Sequence, residues 1–292
     1  MNTLPVVAVL GLGAMGHAFA ANLIKKGFTV RGWNRTRRRG EDLAAAGLIL
    51  CDTPNEAVTG AAVVLVMLPD AAVTEAVITG PQGIVPALDR GAIIAQMGTI
   101  GLDATDRLAG AITAARADIV FLDAPVSGTK APAENALITV LASGDRSRAA
   151  AIEPVFGAIA KGTKWFGGAG GGSRMKLVVN AWLISMVQGM SESVQLAQEL
   201  GFSPADFWDV LDGGPLAAPY VKNKLEMIKA DNYEPQMQLA LALKDANLAL
   251  DAARTSQMPG LRAIADVWRR AVDVGLGEQD IAVVYRYLSR GQ

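Results

Sequence analysis

The sequence has very few of the residues that bind metals or form disulfides. Among 292 residues there is one cysteine, Cys51, and one histidine, His17. A single cysteine excludes a disulfide framework, and the shortage of both residue types excludes a typical Cys/His metal cluster. We therefore predict no metal site, and the composition suits a reducing cytoplasm.

The sequence also lacks a charge imbalance and a long apolar run. Lysine and arginine number 27 against 28 acidic residues, so nothing in the net charge of −1 favours nucleic acid or anionic membrane. Asn180, Ser185 and Gln188 interrupt the best candidate for a membrane span, which needs about 18 apolar residues. The apolar start, residues 4–24, contains glycines and follows no basic stretch, unlike an export signal. We expect a soluble, cytoplasmic protein.

The spacing of apolar residues changes along the length of the chain. Its first half alternates β-branched apolar runs with segments of helical spacing, which predicts an α/β fold with a parallel sheet covered on both faces. The predicted strands are 6–11, 28–33, 61–68, 92–97, 118–124 and 137–142. After Gly168 the pattern predicts only helices: 173–201, 203–211, 220–229, 239–255, 261–274 and 280–288. The glycine-rich stretch Gly167 to Ser173 separates an α/β domain, residues 1–167, from an all-helical domain, residues 168–292.

The stretch "GLGAMG" directly follows the first predicted strand and opens a predicted helix. Gly11 permits a tight turn, Gly13 lets the backbone approach a pyrophosphate, and Gly16 lets helix and strand pack closely. The helix N-terminus offers unpaired N–H groups to the anion. In this context the motif predicts a dinucleotide site in a Rossmann-type, doubly wound domain, formed by Gly11, Leu12, Gly13, Ala14, Met15 and Gly16.

Arginines occupy the end of the second strand, in "GWNRTRRR". A carboxylate there would bind the ribose 2′-hydroxyl of NAD, whereas a guanidinium can hold the 2′-phosphate of NADP. For Arg37 and Arg38 the plainer interpretation is a solvated helix start. We assign Asn34, Arg35, Thr36 and Arg39 to the cofactor and predict NADP(H).

A carbonyl reductase needs a proton donor, which is most often histidine. His17 lies just after the glycine motif and is better explained as a helix-surface residue. In "GGAGGGSRMKLVVN" a helix carries Lys176 and Asn180 at i and i+4, on one face. Apolar neighbours can lower the pKa of a lysine, which suits acid–base work. These residues alone leave open that Lys176 is one more surface lysine and the glycines a linker.

Five segments together resemble the β-hydroxyacid dehydrogenase family, which includes 3-hydroxyisobutyrate dehydrogenases and tartronate semialdehyde reductases. They are "VLGLGAMGHAFAANL", "GWNRT", "DAPVSGTKAPAENALITVLASGD", "GGSRMKLVVN" and "LKDANLAL". "WNRT" and "PVSGTKAPAE" are most similar to the NADPH-dependent glyoxylate/succinic semialdehyde reductases. The resemblance covers essentially the whole chain and implies a Rossmann domain, a long interdomain helix and a helical domain that forms dimers or tetramers.

The resemblance also implies roles for individual residues in reducing a small aldehyde acid. Lys176 matches the lysine that protonates the carbonyl oxygen, and Asn180 the asparagine that holds this lysine and touches the substrate. Lys130 is a weaker rival for proton donor. Loop residues Ser127, Gly128 and Thr129 match the group that binds the substrate carboxylate. Residues matching further cofactor contacts are Met67, Leu68, Pro69, Thr99 and Lys244.

The segment "YEPQMQLALALK", Tyr233 to Lys244, departs from the reductases it resembles. Met237 stands where they tend to carry an aromatic residue, and Ala and Leu replace polar residues. We expect Met237 to border the substrate and the pocket to be larger or more apolar, although 239–243 can also simply pack in a helix core. Two alternatives remain: an imine reductase, which generally replaces the lysine, and a catalytically silent assembly module. A 6-phosphogluconate dehydrogenase would need a much longer helical half. The sequence does not rank the possible aldehyde acids.

Overall fold

Short, almost wholly apolar strands form the sheet of the first part of the chain. The computed structural model describes residues 4–289 and divides the chain into two compact units, Met1–Lys176 and Leu177–Gln292. The first unit contains nine strands and the first seven helices, and the helix α8 begins in it. In chain order these are β1 Val7–Leu10, α1 Ala14–Lys25, β2 Val30–Trp33, α2 Glu41–Ala45, β3 Ile49–Leu50, α3 Pro54–Val58, β4 Val63–Val66, α4 Ala71–Thr79, β5 Ile93–Gln96, α5 Leu102–Ala115, β6 Val120–Asp123, β7 Val126–Ser127, α6 Lys130–Glu134, β8 Ile138–Gly144, α7 Ile152–Ile159, β9 Ala160–Trp165 and α8 Gly171–Glu199.

The sheet has the strand order β3-β2-β1-β4-β5-β6-β8-β7, with β9 paired to β8. The first six strands are all parallel, and the order of these six is that of a Rossmann fold. The chain reverses direction at β8, which is antiparallel to β6 and β7. The prediction of a parallel sheet is thus confirmed for β1 to β6. Three strands, β3, β7 and β9, were not predicted.

Both faces of the sheet are buried, which explains why its strands are apolar at nearly every position. On one face Val7, Val9 and Leu65 pack with α1, α6 and α7, and on the other Ala8 and Leu10 pack with α3, α4 and α5. The strand order reverses between β2 and β4 on either side of β1. In open α/β sheets a ligand binds at the carboxyl ends of the strands at such a point.

The second unit consists of helices. It contains most of the 29-residue α8 and five further helices: α9 Pro204–Leu211, α10 Pro219–Lys229, α11 Leu239–Ala252, α12 Pro259–Ala271 and α13 Val284–Ser289. All six helices predicted after Gly168 are confirmed, with shifted ends. The helix predicted to reach Val274 ends at Ala271 in a wide turn, Val272–Leu276, where Gly275 takes a φ of +90°. A 3-10 turn, Ile281–Val283, precedes α13.

Buried polar contacts fix the packing of this helical unit. The indole N–H of Trp268 donates to Gln188 Oε1 at 2.7 Å, so the largest buried side chain has its one donor satisfied. Lys224 and Asp280 form a fully buried ion pair at 2.7 Å. Burial lowers the pKa of Lys224, and the Asp280 carboxylate opposes that shift.

Residues 4–289 contain no helix that combines the length and the apolar character needed to cross a membrane.

Candidate active site

Two glycines of the "GLGAMG" loop are required by close backbone contacts. A Cβ on Gly11, whose φ is +95°, would lie 2.3 Å from the Met67 carbonyl oxygen. A Cβ on Gly16 would lie 1.8 Å from the Gly11 carbonyl oxygen. Any side chain at either position would push α1 away from β1 and β4. These glycines therefore bring the start of α1 onto the carboxyl ends of the central strands.

Gly13 is different, because no close contact with another protein atom requires a glycine at this position. It is the N-cap of α1, and the nearest atom to a Cβ placed there is Arg39 Nη1, at 3.9 Å. No side chain caps the helix at this residue. An open backbone at an uncapped helix N-terminus fits a pyrophosphate, which would use both the space and the N–H groups. The site therefore fits a dinucleotide.

Asn34 ties the glycine loop to the end of β2. Its Oδ1 accepts a hydrogen bond from the Leu12 amide at 3.0 Å, and its Nδ2 donates to the Thr36 carbonyl at 3.0 Å. Asn34 thus positions the segment that carries Arg35 and Thr36. Both polar atoms of its side chain bond to the backbone of the protein. A direct contact of Asn34 with the cofactor stays a prediction.

The arginines after β2 are exposed but not equivalent. Arg37 forms an ion pair with Asp52, so its charge is partly compensated. Arg39 lies beside Gly13, as described above. The surface after β2 therefore offers guanidinium groups near an open helix N-terminus. His17, on α1, pairs with Asp42 at 2.7 Å, and that hydrogen bond lowers the pKa of the Asp42 carboxyl.

The turn after β4 lies next to the glycine loop, and the turn after β5 lies next to the turn after β4. Met67, Leu68 and Pro69 connect β4 to α4, and Asp70 caps α4 by accepting from the Val73 amide at 2.9 Å. After β5, the buried Gln96 folds back on its own chain. Its Oε1 accepts from the Gly98 amide at 2.7 Å and its Nε2 donates to the Gly98 carbonyl at 2.8 Å. Gln96 thus shapes the turn that presents Thr99.

The loop Ser127 to Thr129 begins in β7, which pairs with β8. Ser127 belongs to β7 and pairs with Thr139 of β8. Gly128 has a φ of +134°, and a Cβ there would lie 2.7 Å from Ile138 Cγ2. Thr129 is the N-cap of the short helix α6, but its side chain makes no cap hydrogen bond. The turn at Gly128 thus connects strand β7 to helix α6, and the hydroxyl residues Ser127 and Thr129 flank it.

The start of α8 is held by a buried polar cluster. Asp123, the last residue of β6, accepts from the Ser173 amide at 2.8 Å and from Ser173 Oγ at 2.7 Å. Ser143, on β8, donates to Asp123 Oδ2 at 3.1 Å and accepts from the Gly172 amide at 2.9 Å. Burial raises the pKa of Asp123, although the bonds from Ser173 and Ser143 act in the opposite direction. Lys176 follows in the same turn of the helix.

The helical unit contributes the buried carboxylate of Asp245. Asp245, on α11, accepts from Asn180 Nδ2 at 2.6 Å, and its Oδ1 lies 2.9 Å from Lys244 Nζ. This contact brings Asn180 of α8 to the "LKD" segment of α11. The Oδ1 of Asn180 is buried with no hydrogen-bond partner in the described part of the chain.

Met237 lies half-buried just before α11. Its amide donates to Asp280 Oδ2 at 3.2 Å, and its carbonyl accepts from the Ile281 amide at 3.0 Å. In the helix that follows, Leu239, Ala242 and Leu243 are buried, whereas Leu241 is 38% exposed. The apolar segment therefore lies partly in the core of the unit and partly at its surface.

Sequence reasoning missed the residues that hold the others in place: Asp123, Ser143, Ser173, Gln96 and Asp245. Asp123 and Gln96 had one visible signal, a polar residue at the end of an otherwise apolar, buried strand. Their partners had none, because Ser143 and Ser173 lie 20 and 50 residues from Asp123.

Comparison with sequence families gives two matches that divide the chain. The NAD-binding domain of 6-phosphogluconate dehydrogenase matches residues 6–168. The NAD-binding domain of NADP-dependent 3-hydroxyisobutyrate dehydrogenase matches residues 170–288.

Individual proteins are similar over nearly the whole chain. Glyoxylate/succinic semialdehyde reductase 1 of Arabidopsis thaliana is 32% identical over 280 residues, which is 95% of this chain and 96% of that protein. The human cytokine-like nuclear factor N-PAC is 30% identical over 96% of this chain but only 51% of its own length. A structure of the Mycobacterium tuberculosis 3-hydroxyisobutyrate dehydrogenase with L-serine matches with a TM-score of 0.84 and 26% identity, over 98% of this chain and 99% of that one.

Proposed function

Because the chain belongs to the β-hydroxyacid dehydrogenase family of NAD(P)-dependent oxidoreductases, we propose that it reduces a small aldehyde acid to the hydroxy acid with NADPH. The substrate class is that of glyoxylate and succinic semialdehyde, which the name of the Arabidopsis relative specifies for that protein. NADPH, when bound, supplies the hydride. The residues of the chain supply the proton, the binding of the substrate and the orientation of both.

The observation that carries the proposal is the position of Lys176 on α8. It lies three residues after Ser173, in the helical turn that Asp123 and Ser143 hold against the ends of β6 and β8. An anchored turn fixes the backbone from which the lysine side chain extends, and a positioned general acid contributes typically 10²–10⁴-fold to rate. We assign to Lys176 Nζ the proton that the carbonyl oxygen receives. Lys130, the rival proton donor, lies on the short helix α6.

Asn180 supports this role from the next turn of α8. Its amide nitrogen is committed to Asp245, so its oxygen is the atom available to accept a hydrogen bond. We propose that this oxygen accepts from the Lys176 ammonium or from the hydroxyl group of the hydroxy acid product. Either contact would satisfy a buried acceptor that has no partner in the described residues.

The substrate carboxylate is assigned to Ser127, Gly128 and Thr129. Hydroxyl and backbone N–H groups at a turn with a positive φ form an anion-binding concavity. The Mycobacterium relative was solved with L-serine, which is itself a 3-hydroxy acid with a carboxylate. Met237 and the half-buried α11 segment are assigned to the rest of the pocket, where they favour a substrate with some apolar character.

The preference for NADPH over NADH rests on the end of β2. No carboxylate stands there to bind a ribose 2′-hydroxyl, and Arg35 is exposed on the segment that Asn34 positions. We propose that Arg35, Thr36 and Arg39 bind the 2′-phosphate. Arg37 is excluded from this group because it pairs with Asp52.

We also expect the protein to form a homodimer or homotetramer. Helix α8 and the residue that follows it expose large apolar side chains: Val178 is 64% exposed, Trp182 68%, Leu196 56% and Leu200 66%. Association of copies would remove this surface from water. The cytoplasmic location remains an expectation from the composition.

A substrate panel tests the proposal. NADPH oxidation is followed with glyoxylate, semialdehyde acids, uncharged aldehydes and cyclic imines, with NADH in parallel. Turnover of a short aldehyde acid supports the proposal. Turnover of imines or uncharged carbonyls alone would favour an imine reductase or a reductase of apolar carbonyls. NADPH binding without turnover of any compound would favour a catalytically silent assembly module.

A further inference from the structure

Two of the first amides of α8 are satisfied by side chains from two different strands. The Gly172 amide donates to Ser143 Oγ of β8, and the Ser173 amide donates to Asp123 Oδ2 of β6. The flanking amides of Gly171 and Arg174 donate to backbone carbonyls of the preceding loop. The N–H groups of Gly171, Gly172 and Ser173, which have no acceptor within the helix, therefore all have acceptors outside it. Two of the acceptors belong to the sheet.

The backbone contact at this point is as close as the chain permits. A Cβ on Gly172 would lie 2.1 Å from the Leu141 carbonyl oxygen and 2.8 Å from the Asp123 carbonyl oxygen. The helix start thus rests directly on the ends of β6 and β8. A small rotation of α8 about this point would break the Asp123 contacts.

The cluster exceeds what helix capping alone requires. Elsewhere in the chain α9 is capped by its own neighbours, Ser203 and Asp206, on the protein surface. Asp123 is completely buried and reaches α8 from 50 residues away. Burying a carboxylate is costly, and an exposed cap would satisfy the same amide without that cost. What the buried arrangement adds is a fixed position of the helix start on the sheet.

Two groups of the proposed reaction depend on that position. Lys176 follows Ser173 by three residues on α8, and Ser127 follows Asp123 by four residues along the chain. We propose that Asp123 is a positioning residue, which sets Lys176 against the Ser127 to Thr129 loop through its hydrogen bonds to Ser173. This inference rests on the proposed function, because it assigns Asp123 no chemistry except through Lys176.

The test is a double-mutant cycle between the cluster and the lysine. Asp123→Asn and Ser173→Ala are made in the wild type and in Lys176→Ala, and kcat, KM and NADPH affinity are measured with the aldehyde acid found by the panel. Ser191→Ala is the matched control, since Ser191 is also a buried serine of α8 but bonds only to the Val187 carbonyl.

We expect each cluster variant to lower kcat of the wild type by roughly 10- to 100-fold, the effect of misplacing a catalytic group by about 1 Å. NADPH affinity should stay within about twofold. In Lys176→Ala the same substitutions should cost less than about twofold, because residues that act as a unit are not additive. Ser191→Ala should leave kcat unchanged.

An equal loss of kcat in both backgrounds would overturn the inference, since the cluster would then act without Lys176. If Asp123→Asn fails to fold, Ser173→Ala decides, because it removes one hydroxyl and keeps the Ser173 amide bond to Asp123. Undiminished turnover in Lys176→Ala would instead overturn the proposed proton donor, and with it this role for Asp123.

Discussion

Asn180 donates its side-chain amide to Asp245 Oδ2 over 2.6 Å, and both side chains are buried. The contact fixes the orientation of the amide group, with its nitrogen toward Asp245. The oxygen is left buried and without a hydrogen-bond partner in the described residues. An unsatisfied buried acceptor costs about 1–3 kcal/mol, so its retention calls for a functional explanation. Binding of a protonated lysine or of the product hydroxyl provides one.

Replacing Asp245 by alanine should release this amide. The buried Nδ2 would lose its acceptor, which should lower the free energy of unfolding by about 1–3 kcal/mol. A freely turning amide should also raise KM for the aldehyde acid by about tenfold, equivalent to about 1.4 kcal/mol. Denaturant unfolding and steady-state kinetics measure both effects. The control is Asp251→Ala, on the exposed face of the same helix. Unchanged kinetics in Asp245→Ala would show that the Asn180 amide does not contribute.

Gly13 and Gly16 should respond differently to alanine. A Cβ on Gly13 meets only Arg39 Nη1, at 3.9 Å, so Gly13→Ala should keep the wild-type melting temperature. It should nevertheless weaken NADPH binding, because the methyl group occupies the place assigned to the pyrophosphate. A Cβ on Gly16 would lie 1.8 Å from the Gly11 carbonyl oxygen, so Gly16→Ala should lower the melting temperature as well. Calorimetry and NADPH titration make the comparison. Tight NADPH binding by Gly13→Ala would place the pyrophosphate elsewhere.

Substitutions of Arg35 and Arg37 can be compared to test the cofactor preference. Arg35→Ala should weaken NADPH binding by about tenfold or more, because charge-assisted hydrogen bonds contribute about 1.5–3 kcal/mol. NADH binding should not change, since NADH lacks the 2′-phosphate. Arg37→Ala removes an arginine that is paired with Asp52 and should leave the ratio of the two affinities as it is. Equal losses for both cofactors in Arg35→Ala would refute the 2′-phosphate assignment.

The buried carboxyl of Asp123 predicts a pH dependence of stability. Burial raises its pKa in the folded state, so folding favours the protonated form. Its contribution to the free energy of unfolding is then fully present below the unfolded pKa, which is about 3.9 for aspartate. That contribution is lost as the pH rises through the folded pKa. The side chain of Asp123→Asn cannot titrate, so the stability of the wild type relative to this variant should fall from about pH 4 upward. Urea unfolding across the range from about pH 4 to about pH 8 measures this, and a relative stability that rises over this range would mean that the hydrogen bonds outweigh burial.

Much of the fold could be predicted because apolar strands and amphipathic helices alternate clearly along the sequence. The six strands predicted in the first half are all present, since fully buried strands require apolar residues at nearly every position. The strands that were missed are short or polar. Ile49–Leu50 and Val126–Ser127 have two residues each, and Ala160–Trp165 carries two exposed lysines on a strand that pairs only with β8.

The candidate site could be predicted only where a residue acts through its own local motif. The glycine loop and Lys176 have recognisable neighbours in the sequence. The links between Asp123 and Ser173, and between Asn180 and Asp245, join residues 50 and 65 positions apart. The spacing of apolar residues along the sequence gives no signal for such contacts, because these side chains come together only when the chain folds. The direction in which Asn180 presents its amide was likewise set by a partner that the sequence did not reveal.

A single-turnover measurement on Lys176→Met, with saturating NADPH and the preferred aldehyde acid, tests the role of Lys176 as proton donor. Methionine keeps the length of the lysine stem and removes the proton. We expect normal NADPH binding and a rate of NADPH oxidation that falls by about 10²–10⁴-fold, the range for loss of a general acid. A rate within about twofold of wild type would show that Lys176 is not the proton donor, and Lys130 would then be the residue to test.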